Sequence, residues 1–282
     1  MIPVLSTGMP ELPEVETVRR TLAPAIGAKI LGVWDSGKGL HMGRKPPRKQ
    51  LAKLVGATIT KLRRHGKYLL IDTDTPLTLI VHLGMTGRFL IVPTSAPRAK
   101  HTHVVLELGA RELRFVDARR FGQIDVVEHA REREHVGLAV LGVDPLVDGF
   151  DGGYLFEKSR RRSATLKAFV LDQGIVAGVG NIYASEALWR AKLKPTRRAK
   201  KLTAAGANTL AAAIHEVFDR ALTKGGTSLR DFVAADGREG ENAEYLWVYD
   251  RAGEPCPRCK AKIRRTVLQG RATYYCPTCQ AA

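Results

Sequence analysis

The sequence predicts a multidomain α+β protein with a strand-rich first half, a helical second half and a short four-cysteine element at its end. Three observations carry that prediction. Apolar runs of strand length, broken by turn residues, recur from residue 10 to about 135. Strong helix formers take over from Gly153 to about Val233. Two C-x2-C pairs then close the chain. Strands first and helices later argue against a βαβ alternation and its parallel sheet.

The elements follow in order. Leu12, Val15, Val18 and Leu22 recur at helical spacing, with Pro13 suited to the first helical position and Glu14 and Glu16 in the first turn. Thr78 to Val92 holds two apolar runs broken by Gly84 and Gly87, and further strand patterns cover 103–108 and 113–127. Residues 137–152 are rich in Gly, Pro and Asp and read as a linker. Helical patterns cover 166–173 and 204–224, the second stopped by Gly225 and Gly226. The resulting modules are an extension over 1–9, a strand-rich domain over 10–136, the linker over 137–152, a helical domain over 153–245 and a four-cysteine element over 246–282.

Charge narrows the partner. Forty-five Lys and Arg stand against 28 Asp and Glu in 282 residues, a net charge of +17. An excess of that size fits a polyanion, because each neutralised phosphate releases counterions and adds affinity. It does not by itself separate DNA from RNA. No apolar run has the length of a bilayer span, and no signal peptide is read at the start. Four cysteines confined to the last tenth of the chain do not form a secreted disulfide scaffold, so a reducing compartment, cytoplasm or nucleoid, is expected.

Cys256 and Cys259 are separated from Cys276 and Cys279 by sixteen residues. Each pair places two thiolates on one knuckle, and two knuckles complete a tetrahedral site. Four protein ligands leave no open position, so one structural Zn2+ is expected. The stretch between the knuckles is hairpin-like, with Gly270 in its turn and Arg271 at or near its tip.

Two further strings bear on chemistry. Gly178 and Gly180 make a tight turn before a helix, with Asn181 as candidate N-cap, and that helix N-terminus suits a phosphate. The string is not a dinucleotide fingerprint, since it lacks the third glycine and follows a helix. At the other end, Pro10 follows Met9 directly and Glu11 follows Pro10. If translation starts at Met9, methionine removal leaves Pro10 with a free secondary amine. An α-amino group titrates near ~7.8, so roughly a tenth is neutral at neutral pH, far more than for lysine. Such an amine can attack the C1′ of a deoxyribose, and its iminium product is a fixed cation that draws electrons in later eliminations. Glu11, covalently adjacent, can move protons at the sugar.

The opening Pro10 to Thr17 resembles that of the formamidopyrimidine-DNA glycosylases. The similarity continues through His65–Tyr68, His82–Gly87, Asp117–Gly122, Gly178–Glu186 and the zinc tail, in the family's order across nearly the whole chain. Leu12 is similar to the oxidised-purine branch; the endonuclease VIII branch, acting on oxidised pyrimidines, has Gly there. The resemblance implies an N-terminal β-sandwich with flanking helices, a helix–two-turn–helix domain and a zinc-finger β-hairpin, with damaged duplex DNA in the cleft between the halves and the chain a monomer. It implies Pro10 as Schiff-base nucleophile, Glu11 as proton donor, Lys67 in β-elimination and Arg271 in δ-elimination. Met85, Arg119 and Phe121 match residues that fill the gap left by an extruded nucleotide. His101, Arg161 and Asn181 match phosphate contacts, and Lys167 a position near the damaged nucleotide. The loop at Thr227 and Ser228 matches one that folds over the flipped base and is expected to move without DNA. The segment from Asp236 to Asp250 lacks the aromatic usual soon after its first glycine. Two rival functions stand beside this one: an endonuclease VIII-like enzyme for oxidised pyrimidines, and a DNA-binding paralogue without catalysis. About six phosphate contacts would give a log–log salt slope near ~−5.

Overall fold

The computed structural model describes residues 9–43 and 45–280; the expected extension, up to residue 8, lies outside them. The first helix, α1 (Leu12–Thr21), is followed by β1 (Gly32–Asp35), α2 (Arg48–Ala52) and β2 (Ile59–His65). Then come β3 (Tyr68–Thr73), β4 (Leu77–His82), β5 (Gly87–Pro93), β6 (Thr102–Glu107), β7 (Arg111–Asp117) and β8 (Gln123–Glu128). They form two four-stranded antiparallel sheets, ordered β1-β6-β7-β5 and β2-β3-β4-β8. Alternation along each strand sends every second side chain inward. Leu69 and Ile71 of β3 and Leu79 and Val81 of β4 thus share a buried core with Phe89, Val104, Leu106 and Phe115 of the other sheet. This is the sandwich that the resemblance implied.

The second half is helical: α3 (Gly152–Ser159), α4 (Leu166–Leu171), α5 (Asn181–Arg190) and the long α6 (Ala204–Thr223). Asp151, Thr165 and Thr203 cap α3, α4 and α6 by accepting backbone N–H groups of the first turn. The closing hairpin, β9 (Arg264–Leu268) and β10 (Arg271–Tyr275), turns through Gln269 and Gly270, both at positive φ. Ile263, Tyr274, Cys256 and Cys276 join the helical core, so the finger is an extension of that domain.

Helix α1 belongs to both halves. Val15, Val18 and Leu22 pack into the sandwich core, while Leu12 packs into the helical one. Pro13 stands one position inside the helix, which begins at Leu12. The stretch expected to be a linker is more than a spacer. Asp144 is fully buried and accepts from the Arg64 guanidinium and, at 2.7 Å, from the N–H of Gly66, next to Lys67. Val143 also bridges Val176, and its carbonyl accepts from Ala177 N. Among the described residues, no helix is long and apolar enough to cross a membrane.

Candidate active site and nucleic-acid interface

Glu11 is the joint of the site. Its carboxylate is 2 % exposed and accepts from the N–H groups of Gly180 (2.7 Å), Ile182 (2.8 Å) and Tyr183 (3.3 Å). The sequence reading offered this helix N-terminus to a phosphate and gave Asn181 its cap; the structure corrects both. Gly180 is the N-cap residue, Asn181 is the first residue of α5, and the anion on the helix is Glu11. The physical reason is the same either way, since unpaired N–H groups and the helix dipole stabilise a nearby negative charge. Burial nevertheless raises the Glu11 pKa, against the opposing pull of Lys67 and of those three N–H groups.

Lys67 sits in the tight turn between β2 and β3, where Gly66 adopts φ +55°. Burial lowers its pKa, Glu11 opposes that shift, and the charge of Arg271 adds to it. Arg271, the first residue after the hairpin turn, is exposed. Lys67, Met9 and Arg271 line one cavity of about 600 Å3, together with Tyr68 and His82 from the sandwich and Ala164 and Ala168 from the helical domain. Pro10 is buried beside it, in a tight space walled by Glu14, Ile182, Thr227 and Phe232. Residues from three distant parts of the sequence are thus gathered at the junction of three modules.

Two neighbouring turns carry Met85, Arg119 and Phe121, the residues expected to fill the gap. Asp117, fully buried, accepts from the Thr86 hydroxyl (2.5 Å) and the Gly122 N–H (2.8 Å). It thereby locks the Met85 turn to the Arg119–Phe121 turn, which bends through Arg120 at φ 58°. A Cβ on Gly84 would lie 2.5 Å from the Phe121 backbone, so the two turns can approach only with glycine there. Phe121 is 41 % exposed, and the Arg119 guanidinium stacks 4.7 Å from its ring centre. Met85 is half-buried and His101 exposed; the His101 carbonyl accepts from Asp117 N.

Arg161 is exposed. Asn181 is half-buried, and its amide donates to the Ala272 carbonyl of the zinc hairpin at 2.9 Å. Lys167 is 1 % exposed, and its ammonium donates to the Asn181 carbonyl (2.9 Å) and the Ser185 hydroxyl (2.6 Å). Burial pulls its pKa down to about 7. The start of the loop expected to move is also pinned. Thr227 is 4 % exposed, its N–H donates to Glu14 at 2.8 Å, and its hydroxyl is shared with Tyr183 and Asn242.

That cluster was missed in the sequence. Glu14 accepts from Glu11 N, Tyr183 Oη and Thr227 N; burial and the nearby Glu11 push its pKa up to about 7. Asp144 and Asp117 were missed too. Glu14 had served its purpose as a first-turn acid, and no spacing links it to Tyr183 and Thr227.

The four cysteine sulfurs lie within 4.8 Å of one another, with Cys256–Cys279 at 3.9 Å and Cys259–Cys276 at 3.4 Å. A tetrahedral Zn2+ with bonds of ~2.3 Å sets its sulfurs ~3.8 Å apart. A disulfide needs ~2.0 Å. The set fits one zinc ion, held entirely by protein and so structural.

Sandwich, helical domain and thiolate hairpin, meeting around a proline, a carboxylate and a lysine, define the class of DNA glycosylases with a zinc-finger hairpin. Three family models match in chain order: the formamidopyrimidine-DNA glycosylase N-terminal domain over 9–124, its H2TH domain over 141–233, and the zinc finger found in FPG and IleRS over 253–282. The chain belongs to the formamidopyrimidine-DNA glycosylase family. A formamidopyrimidine-DNA glycosylase of Teredinibacter turnerae is 45 % identical over 275 residues, spanning 96 % of this chain and all of that one. A Lactococcus lactis FPG mutant in complex with Fapy-dG containing DNA superposes with a TM-score of 0.88 at 35 % identity, over 97 % of this chain and all of the other. The Lactococcus lactis Fpg complex with abasic-site DNA gives 0.88 at 35 % over 96 % of this chain and all of that one.

Proposed function

We propose that this chain excises oxidised purines, 8-oxoguanine and formamidopyrimidines, from duplex DNA and then cleaves the strand at the abasic site. The observation that carries the reading is that Lys67 and Arg271 line one cavity, with Glu11 interacting electrostatically with Lys67, Pro10 in a tight space behind Met9, and Phe121 and Met85 on turns locked by one buried aspartate.

Pro10 is the nucleophile when its nitrogen is a free secondary amine; as an amide it has no lone pair available. The Pro10 nitrogen bonds to C1′, the glycosidic bond breaks, and the purine leaves with a proton. Glu11, whose raised pKa favours the protonated carboxyl, delivers a proton to the sugar ring oxygen, and the ring opens to the iminium. Loss of a C2′ proton then breaks the C3′–O bond. Lys67 serves this step: burial favours its neutral, basic form. Arg271, reaching in from the hairpin, assists loss of the second phosphate. Met85, Arg119 and Phe121 fill the gap in the stack, while His101, Arg161 and Asn181 hold phosphates.

The modules divide at 136, 152 and 245, and the protein works as a monomer on the nucleoid in the cytoplasm. The test is borohydride trapping on a duplex with 8-oxoguanine opposite cytosine, using chains begun at Met9 and at Met1. An adduct from the Met9 form alone is expected. No adduct from either, on this or on abasic DNA, removes Pro10 as nucleophile. Faster excision from an oxidised-pyrimidine duplex moves the substrate to the other branch.

A further inference from the structure

Outside the cleft the helical domain carries a second band of positive charge. Arg160-Arg161-Arg162 follow α3, and Arg197-Arg198-Ala199-Lys200-Lys201 lie between α5 and α6; neither run contains an acid. The backbone zips them together. Leu166 N donates to the Arg197 carbonyl (2.7 Å), Ala199 N to Ala164 O (2.8 Å) and Lys200 N to Arg162 O (3.0 Å). Seven cations, six of them exposed, therefore share one ridge.

Crowding like charges raises the free energy of the free protein, and a solvated surface normally intersperses acids to relieve it. Here relief is minimal. Among the described residues one carboxylate, Asp172, pairs with the ridge, 3.7 Å from Arg162 and itself half-exposed. The guanidiniums are held by neutral carbonyls instead: Arg197 donates to Lys201 O at 2.7 Å, Arg198 to Ser163 O at 3.0 Å, and Arg160 to Leu202 O. A carbonyl fixes the position of a guanidinium without cancelling its charge. Ala164, inside the zipped segment, and Asp172 also line the cavity that holds Lys67 and Arg271, so the ridge continues the reactive cleft.

We infer that this ridge is a second phosphate track, which grips duplex DNA flanking the reactive nucleotide whatever its sequence or damage. The inference rests on the proposed DNA substrate, and it adds Arg162, Arg197, Arg198, Lys200 and Lys201 to the contacts named above. The ridge would hold the enzyme on undamaged DNA during search, where affinity comes from phosphates alone.

Binding to undamaged duplex is measured against salt, on about three helical turns (~30 base pairs) and on about one (~10). Each phosphate contact removed should flatten the log–log slope by ~0.9. K200Q/K201Q should therefore flatten it by about 2 on the long duplex, and adding R197Q/R198Q by 3 to 4, at ~0.9 per contact. The short duplex, covering the cleft, should show little change. Equal slopes for wild type and variants on the long duplex overturn the inference; equal flattening on both lengths overturns the placement beyond the cleft. If the wild type binds neither duplex, the DNA reading itself falls. If the fourfold variant does not fold, K200Q/K201Q carries the test, since it spares the arginines that hold backbone carbonyls.

Discussion

Replacing Gly180 with alanine should disable the site from outside the reacting groups. Gly180 has φ −124° and ψ −160°, an extended conformation open to any residue. Its requirement is space. A Cβ there would lie 2.4 Å from Glu11 Cδ, 2.5 Å from Oε1 and 2.6 Å from Cγ. Ordinary carbon contacts are ~3.5 Å or more, so the carboxylate must move by about 1 Å. It would then lose most of its bonds to Gly180 N (2.7 Å) and Ile182 N (2.8 Å). At ~0.5–1.5 kcal/mol for each hydrogen bond to a neutral carboxyl, roughly 1–3 kcal/mol is at stake. A catalytic group displaced by ~1 Å costs about 100-fold in rate. Single-turnover excision of 8-oxoguanine reads the rate, and thermal unfolding reads the stability. Gly153→Ala is the matched control, because its Cβ meets nothing nearer than 3.4 Å. Wild-type excision by Gly180→Ala would refute the claim that this glycine makes room for Glu11.

Two further outcomes follow from the same geometry. The Glu14 pKa is raised from 4.5 to about 7. Across that window the folded carboxyl keeps a proton that the unfolded one has released, so stability falls as pH rises, by roughly 3 kcal/mol in all. Glu14→Gln should remove this pH dependence; denaturant unfolding of both proteins at about pH 5 and about pH 8 checks it, and parallel curves would contradict the buried-carboxyl assignment. Stripping zinc with a chelator should release one ion per chain and open the hairpin to trypsin at Arg264 and Arg265, with loss of the δ-elimination product, because Cys256 and Cys276 are fully buried in the helical core. Continued resistance to trypsin after zinc release would deny the ion its structural role.

Much of the architecture was legible along the chain. Local rules govern strand alternation, helix formers and turn glycines, and the cysteine spacing alone placed the zinc ligands. Gly270 and Arg271 took the places expected of them, because a two-residue hairpin turn leaves little choice. Pro10, Glu11, Lys67 and Arg271 were named through the order of short motifs; the fold sets Lys67 and Arg271 on one cavity, Glu11 in electrostatic contact with Lys67 and Pro10 in a neighbouring tight space. Lys167 shows the limit. The resemblance put it near the damaged nucleotide, and nothing along the chain records that it fills a buried slot beneath Asn181. The Glu11–α5 contact joins residues about 170 positions apart, and no periodicity records such a pairing.

By itself, then, the sequence determined the class of each module and the metal site, since both depend on residue type and near neighbours. Tertiary structure decided which anion sits on the α5 N-terminus, which acids lose contact with water, and how the linker clamps the Lys67 turn. Those depend on burial and on hydrogen bonds across the chain. Only the packed fold sets the distances that determine whether a carboxylate meets three N–H groups or bulk solvent.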